Sequence, residues 1–125
     1  MATHKIFTYG TLRKGHYNHP ILEKSTYLGK AQTNPAFTML NLGAYPGIVH
    51  QGRTPIIGEV YEVDDQTLKR LDRLESHPNF YERVPLEVTL ENDTVAVEGY
   101  VLPAKWLDDR AAIIDSGDWA TQEQI

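Results

Sequence analysis

The chain has 125 residues, 41% hydrophobic and 23% charged, with a formal net charge of −5 and no cysteine. That length suits one domain over residues 1–125 with one core, in an ordinary globular balance that argues against disorder. An acidic chain without a block of like charges argues against nucleic-acid or anionic-membrane binding, and the missing cysteines exclude disulfides, thiolate catalysis and cysteine-type zinc sites.

At the amino end, Met-Ala-Thr-His-Lys lacks a signal-peptide core. No later run approaches the ~18 apolar residues of a membrane helix, which predicts a cytosolic protein. Lys5-Ile-Phe-Thr-Tyr9 is β-branched and aromatic and reads as a first strand, ended by Gly10. Thr11 to Gly15 reads as a loop, and residues 17–24, with Pro20 near their start, as a short helix packing Ile21 and Leu22. Residues 27–32 and 37–42 read as strands joined across Asn34-Pro35; turn residues follow to Gly47, and Ile48-Val49 resumes extended structure. Residues 55–63 alternate as a strand with Val60 opposed to Tyr61, and Asp64 or Asp65 then caps a helix over residues 65–75. Strands over residues 81–90 and 95–102 flank Asn92-Asp93, a hairpin signal. In the tail from Pro103 to Ile125, the side chains of Trp106, Leu107, Ile113 and Ile114 are expected to cover an end of the sheet. The pattern predicts an α+β fold: a small mixed β-barrel of about six strands with one or two flanking helices, closed because closure removes exposed strand edges.

In the predicted helix, Leu68, Leu71 and Leu74 share one stripe, while Lys69, Arg70 and Arg73 lie on the other side. Glu75 follows Leu71 by four residues, so at ~100° per residue it projects from the leucine face, in a last turn whose dipole disfavours an anion. A carboxylate placed against both rules acquires a raised pKa and suits proton transfer. The bland reading is a frayed helix end whose carboxylate reaches solvent or pairs with Arg83. The other candidate is the strand end at Gly10-Thr11, where consecutive backbone N–H groups can bind a carboxylate or an oxyanion. By spacing alone, a plain strand-terminating turn is the better reading. His16 and His19, three residues apart with no fixed third ligand, read as surface residues rather than a metal site. Asp72 and Glu75 cannot flank a sugar from two faces as a glycosidase pair, because they lie on adjacent turns of one helix.

Two motifs carry a family resemblance. Phe7-Thr-Tyr-Gly-Thr-Leu-Arg13, followed by Leu71-Asp-Arg-Leu-Glu-Ser-His-Pro-Asn-Phe-Tyr-Glu-Arg83, resembles the gamma-glutamylcyclotransferase-like family, with closer similarity to its gamma-glutamylamine cyclotransferase branch. That branch pairs a Tyr-Gly-(Ser/Thr)-Leu loop with an Asp-x-x-Glu…Tyr-x-Arg segment, matched in spacing by Asp72, Glu75, Tyr81 and Arg83. Residues 58–63 resemble the family's strand before the helix, and Ser116-Gly-Asp-Trp119 resembles small bacterial members. The resemblance implies Glu75 as the acid/base residue, Tyr9, Gly10, Thr11 and Leu12 as the substrate-binding loop, and Tyr81 as a pocket wall. Arg83 is implied as a structural partner or a ligand contact. Some small members lack the glutamate and have no assigned reaction; this chain keeps it.

The implied reaction is closure of 5-oxoproline from a small γ-glutamyl substrate, with no metal or nucleotide cofactor. The alternative from a different class is a non-catalytic barrel that binds a small amino-acid-like ligand or a protein partner. A buried Glu75 beside the Tyr9-to-Leu12 loop favours the enzyme. A solvent-exposed Glu75 with a filled barrel mouth favours the binding protein.

Overall fold

The strands alternate their side chains between two cores, and that alternation sets the architecture. A computed structural model describes residues 3–119. It contains β1 (Thr3–Thr8), β2 (Thr26–Thr33), β3 (Phe37–Asn41), β4 (Pro46–Thr54), β5 (Ile57–Asp64), α1 (Asp65–Leu74), β6 (Glu82–Leu90) and β7 (Asp93–Val101). Five strands close into a barrel in the order β1-β5-β2-β6-β7. Closure is made by a parallel contact of β1 with β7, Ile6 beside Glu98, and every other pairing in the barrel is antiparallel. Phe7 and Val60 join one core with Leu86, Val88 and Val97. Their chain neighbours Ile6 and Tyr61 join the other, where Leu68 and Leu71 of α1 also pack. Period-two alternation thus fills the barrel with one set and seats the helix on the other.

The expected closed mixed barrel with a helix is present, in a different strand arrangement. β3 and β4 form a separate two-stranded sheet rather than barrel strands. The link at Asn34-Pro35 joins consecutive strands without pairing them, because β2 is already flanked by β5 and β6. The β3–β4 hairpin is bridged to the end of β7 by Val49 with Leu102 and to the tail by Leu40 with Ile113. The helix expected over residues 17–24 is a single 3-10 turn, His19–Leu22, with Pro20 inside its first positions. Its i→i+3 bonds, from Ile21 to Asn18 and from Glu23 to Pro20, are the tighter pattern of a short piece. Leu22 is still buried as expected.

The hairpin of β6 and β7 turns at Glu91-Asn92, one residue earlier than the sequence suggests, with Leu90 opposite Asp93. Both turn residues have positive φ, 51° and 75°, the two-residue geometry that matches strand twist. Asp64 is the residue that caps α1, its carboxylate accepting from the Thr67 N–H at 2.7 Å. In the tail, Ile114 is buried while Ile113 stays exposed, and Trp106 packs edge-on against Phe80 at 5.3 Å. Residues 120–125 of the tail lie outside the described residues. No helix among the described residues is long and apolar enough to cross a membrane.

The end of β1 lies close against β5 at Gly58. A Cβ there would stand 2.2 Å from the Thr8 carbonyl oxygen and 2.8 Å from the Phe7 ring. Neither neighbour is a flexible side-chain tip, so Gly58→Ala is expected to lower unfolding free energy by about 1–3 kcal/mol. Urea denaturation checks this; an unchanged midpoint would show that β1 is free to move at the site.

Candidate active site

The sequence candidates converge on one cavity. Tyr9, Gly10, Thr11, Leu12, Glu75 and Tyr81 all line a cleft of about 560 Å³, a usual size for a small-molecule pocket. β1 delivers the first four as it leaves the barrel, and α1 delivers Glu75 at its carboxyl end.

Glu75 is the C-cap of α1 rather than a residue inside it. Ser76 follows in the left-handed region at φ 54°. The Ser76 N–H donates to the Arg73 carbonyl and the His77 N–H to the Asp72 carbonyl, the paired bonds of a Schellman ending. The chain therefore reverses immediately after Glu75, and its carboxyl opens onto the cleft. Leu74, expected on the buried stripe with Leu68 and Leu71, is instead 41% exposed and lines the same cleft. The last turn of the helix serves the pocket rather than the core.

The half-buried Glu75 carboxyl makes no hydrogen bond or ion pair among the described residues. Arg83, its possible partner from sequence, is committed elsewhere: it pairs with Asp72 and with Glu98 at 3.4 Å. Burial therefore acts on Glu75 unopposed and pushes its pKa from 4.5 to about 7. Nor do the neighbouring phenols offer it a proton. The Tyr9 hydroxyl donates to the Tyr100 carbonyl at 2.8 Å, and the Tyr81 hydroxyl donates to the Pro46 carbonyl. Burial above all, with the nearby Glu75 charge adding to it, raises both tyrosines far above their ordinary range. They are neutral walls.

The loop after β1 is held at several points. Arg13 N–H donates to the Gly10 carbonyl at 3.1 Å, Asn18 N–H to the Thr11 carbonyl at 2.8 Å, and the His19 ring lies 3.0 Å from the Leu12 carbonyl. Lys14 N–H donates to the buried Glu59 carboxylate at 2.9 Å. The carbonyls are thus occupied, while the N–H groups of Gly10, Thr11 and Leu12 find no protein acceptor among the described residues. A Cβ on Gly10 would come within 2.8 Å of the Pro46 ring, so glycine lets the loop close on the β3–β4 hairpin.

Asp72 and Arg83 lie behind the site as structural partners. Asp72 accepts from Arg83 and, at 2.7 Å, from the Tyr100 hydroxyl, tying α1 to the β6–β7 hairpin. Tyr100 is the residue that sequence reasoning missed. Its carbonyl accepts from Tyr9, its phenol donates to Asp72, and the residue lines the cleft. Burial of Gly99, Tyr100 and Val101 in succession breaks the alternation at the end of β7, and no local sequence pattern marks it. Phe80 and Tyr45 also line the cleft. His16 and His19 do not gather further ligands; no cluster of three or more metal-ligating groups occurs among the described residues.

Residues 6–121 match the model of the family described as gamma-glutamyl cyclotransferase, AIG2-like. A Vibrio cholerae protein, whose name assigns it gamma-glutamylcyclotransferase activity only provisionally, is 41% identical over 118 residues, covering 93% of this chain and 95% of its own. The gamma-glutamylaminecyclotransferase of Bos taurus is 32% identical over 120 residues, covering 82% of this chain and 69% of its own. Among solved structures, an AIG2-like protein of Mus musculus superposes with a TM-score of 0.80 at 28% identity, covering 94% of this chain and 90% of its own.

A carboxyl whose folded pKa exceeds its unfolded value binds more protons in the native state between the two values. Its contribution to stability therefore falls as pH rises from about 4.5 to about 7 and is level above that. At about 1.4 kcal/mol per pH unit the loss is on the order of 3 kcal/mol. Glu75→Gln removes the buried anion, so its stability relative to wild type should rise across that window. Denaturant titrations of both proteins between pH 4 and 8 test this; a difference that does not change with pH contradicts a desolvated Glu75.

Proposed function

The chain belongs to the gamma-glutamyl cyclotransferase, AIG2-like family, and from that premise we propose that Glu75 is its acid/base residue in closing 5-oxoproline from a γ-glutamyl amide. The family and the names of its relatives make it an enzyme of gamma-glutamyl cyclotransferase type acting on small γ-glutamyl substrates. The observation that carries the mechanistic reading is the unpartnered Glu75 carboxyl, with a pKa of about 7, in the same cleft as the three N–H groups without acceptors.

The substrate's α-amine arrives as an ammonium and cannot attack in that form. Glu75, ionised near neutral pH, removes a proton from it, and a base whose pKa lies close to the working pH does so efficiently. The amine nitrogen then forms a bond to the γ-carbonyl carbon, closing a five-membered lactam through a tetrahedral intermediate. As the bond from that carbon to the amide nitrogen breaks, protonated Glu75 delivers the proton to the departing amine. The lactam nitrogen still carries a second proton after attack, and it passes this through the regenerated Glu75 carboxylate to the departing amine, so the products are 5-oxoproline and an ammonium and no cofactor is consumed. The N–H groups of Gly10, Thr11 and Leu12 hold the substrate's α-carboxylate or the developing oxyanion. Tyr9 and Tyr81 shape the wall against which the glutamyl chain folds, bringing amine and carbonyl into contact.

Incubation with a panel of γ-glutamyl amines and amino acids, with 5-oxoproline measured by mass spectrometry, tests this reading. Glu75→Gln should keep the fold and the thermal shift given by 5-oxoproline, yet lose at least about 100-fold in kcat. For wild type, kcat/KM should rise with pH through an apparent pKa near 7, because the free enzyme must present the ionised carboxylate. Undiminished turnover by Glu75→Gln would remove Glu75 from the mechanism.

A further inference from the structure

The apolar surface that this protein leaves uncovered is concentrated around its reacting groups. Five large hydrophobic residues are exposed among the described residues, and three of them, Tyr17, Tyr45 and Leu74, line the cleft that contains Glu75. Tyr17 is 85% exposed. Phe80, also in the lining, meets Tyr45 edge-on at 6.5 Å and Trp106 at 5.3 Å, which fixes its ring at the rim. Apolar side chains grouped at a concave mouth signify a ligand's apolar part rather than random exposure.

The charge of the cleft is equally one-sided. Glu75 is the single carboxylate of the lining, and no Lys, Arg or His of the described residues joins it. The nearby cations are engaged outside: Arg83 with Asp72 and Glu98, and Arg13 with Asp118 at 2.7 Å.

We propose that this collar receives the leaving amine, and that the enzyme acts on γ-glutamyl amides of apolar amines, aromatic ones foremost, in preference to γ-glutamyl amino acids. The inference rests on the cyclotransferase reading and names the substrate class within it. An amino-acid leaving group carries a carboxylate one carbon from the departing nitrogen. That anion would enter a collar of aromatic faces, whose π-clouds are negative, beside Glu75 and without a cation to pair with. It would also push the Glu75 pKa further up, leaving less of it ionised at neutral pH to take the ammonium proton. An arylalkyl amine places only a ring and methylenes there, against Tyr45, Leu74 and Phe80. The glutamyl carboxylate does not meet this obstacle, since the free N–H groups of the 10–12 loop serve it.

Two substrates that differ by one carboxylate provide the test: γ-glutamyl-2-phenylethylamide and γ-glutamyl-phenylalanine. The wild-type kcat/KM should favour the amide by at least about tenfold. Leu74→Arg places a cation on the rim at an exposed helix carboxyl end, where a positive charge is tolerated. It should reduce that ratio by about tenfold while circular dichroism reports an unchanged fold. Equal kcat/KM for the two substrates, or a ratio that Leu74→Arg does not move, overturns the collar and leaves the cyclotransferase reading standing. Absence of 5-oxoproline from both substrates and from the wider panel, with folded protein, overturns both.

Discussion

The barrel closes where β1 runs parallel to β7, with Ile6 beside Glu98, and the geometry of the cleft follows from that contact. Closure carries the end of β1 to Tyr100, whose carbonyl accepts the Tyr9 hydroxyl. The Tyr100 phenol in turn reaches Asp72 on α1, and Arg83 of β6 closes the node from the opposite side. One tyrosine on β7 therefore fixes both halves of the site, the loop that follows β1 and the helix end that carries Glu75. The two bonds to Asp72 are half-buried and charge-assisted, so removing one partner leaves desolvated groups unpaired. The same closure leaves no room for a further strand between β1 and β7. The β3–β4 hairpin is consequently a separate layer whose Pro46 meets Gly10 and accepts from Tyr81.

Three carboxylates illustrate how environment assigns roles. Asp64, at the amino end of α1, accepts from the Thr67 N–H and is held below its ordinary pKa. Glu59 is 8% exposed, yet the Lys14 N–H and the Tyr61 hydroxyl both donate to it at 2.9 Å. Glu75, at the carboxyl end of α1, has burial without donors. The first caps a helix and the second anchors the loop after β1 through Lys14. The third carries an unopposed desolvation cost on the order of 3 kcal/mol, which structure alone gives no reason to keep. A proton-transfer role accounts for it.

The parts of this arrangement that were legible in the sequence are those set by local pattern. Alternation marked β5 and the β6–β7 hairpin, the Asp64-Asp65 pair marked the helix start, and a carboxylate out of place after three leucines marked Glu75. The two motifs supplied the family and the Tyr9-to-Leu12 loop. What stayed hidden depends on contacts between distant segments. The strand order could not be read, because β2 and β3 are neighbours in sequence and separate in space. Leu74 shares the periodicity of Leu68 and Leu71, and only the position of the cleft exposes it. Tyr100 resembles any strand tyrosine until β1 and α1 are brought against it. The 3-10 turn at His19–Leu22 reflects Pro20 and a short segment, where the apolar pair Ile21-Leu22 suggested a longer helix.

The account turns on a single desolvated carboxyl, and its proton can be observed directly. With the protein labelled at the glutamate side-chain carboxyl carbons and the Glu75 signal assigned by loss in Glu75→Gln, a ¹³C NMR pH titration reads its pKa in the free enzyme. A desolvated Glu75 should show a midpoint near 7, well above the ordinary range of a solvated carboxyl. A Glu75 midpoint among those of the exposed glutamates would mean that the cleft is wet and the carboxylate solvated, and the mechanism built on its raised basicity would fall.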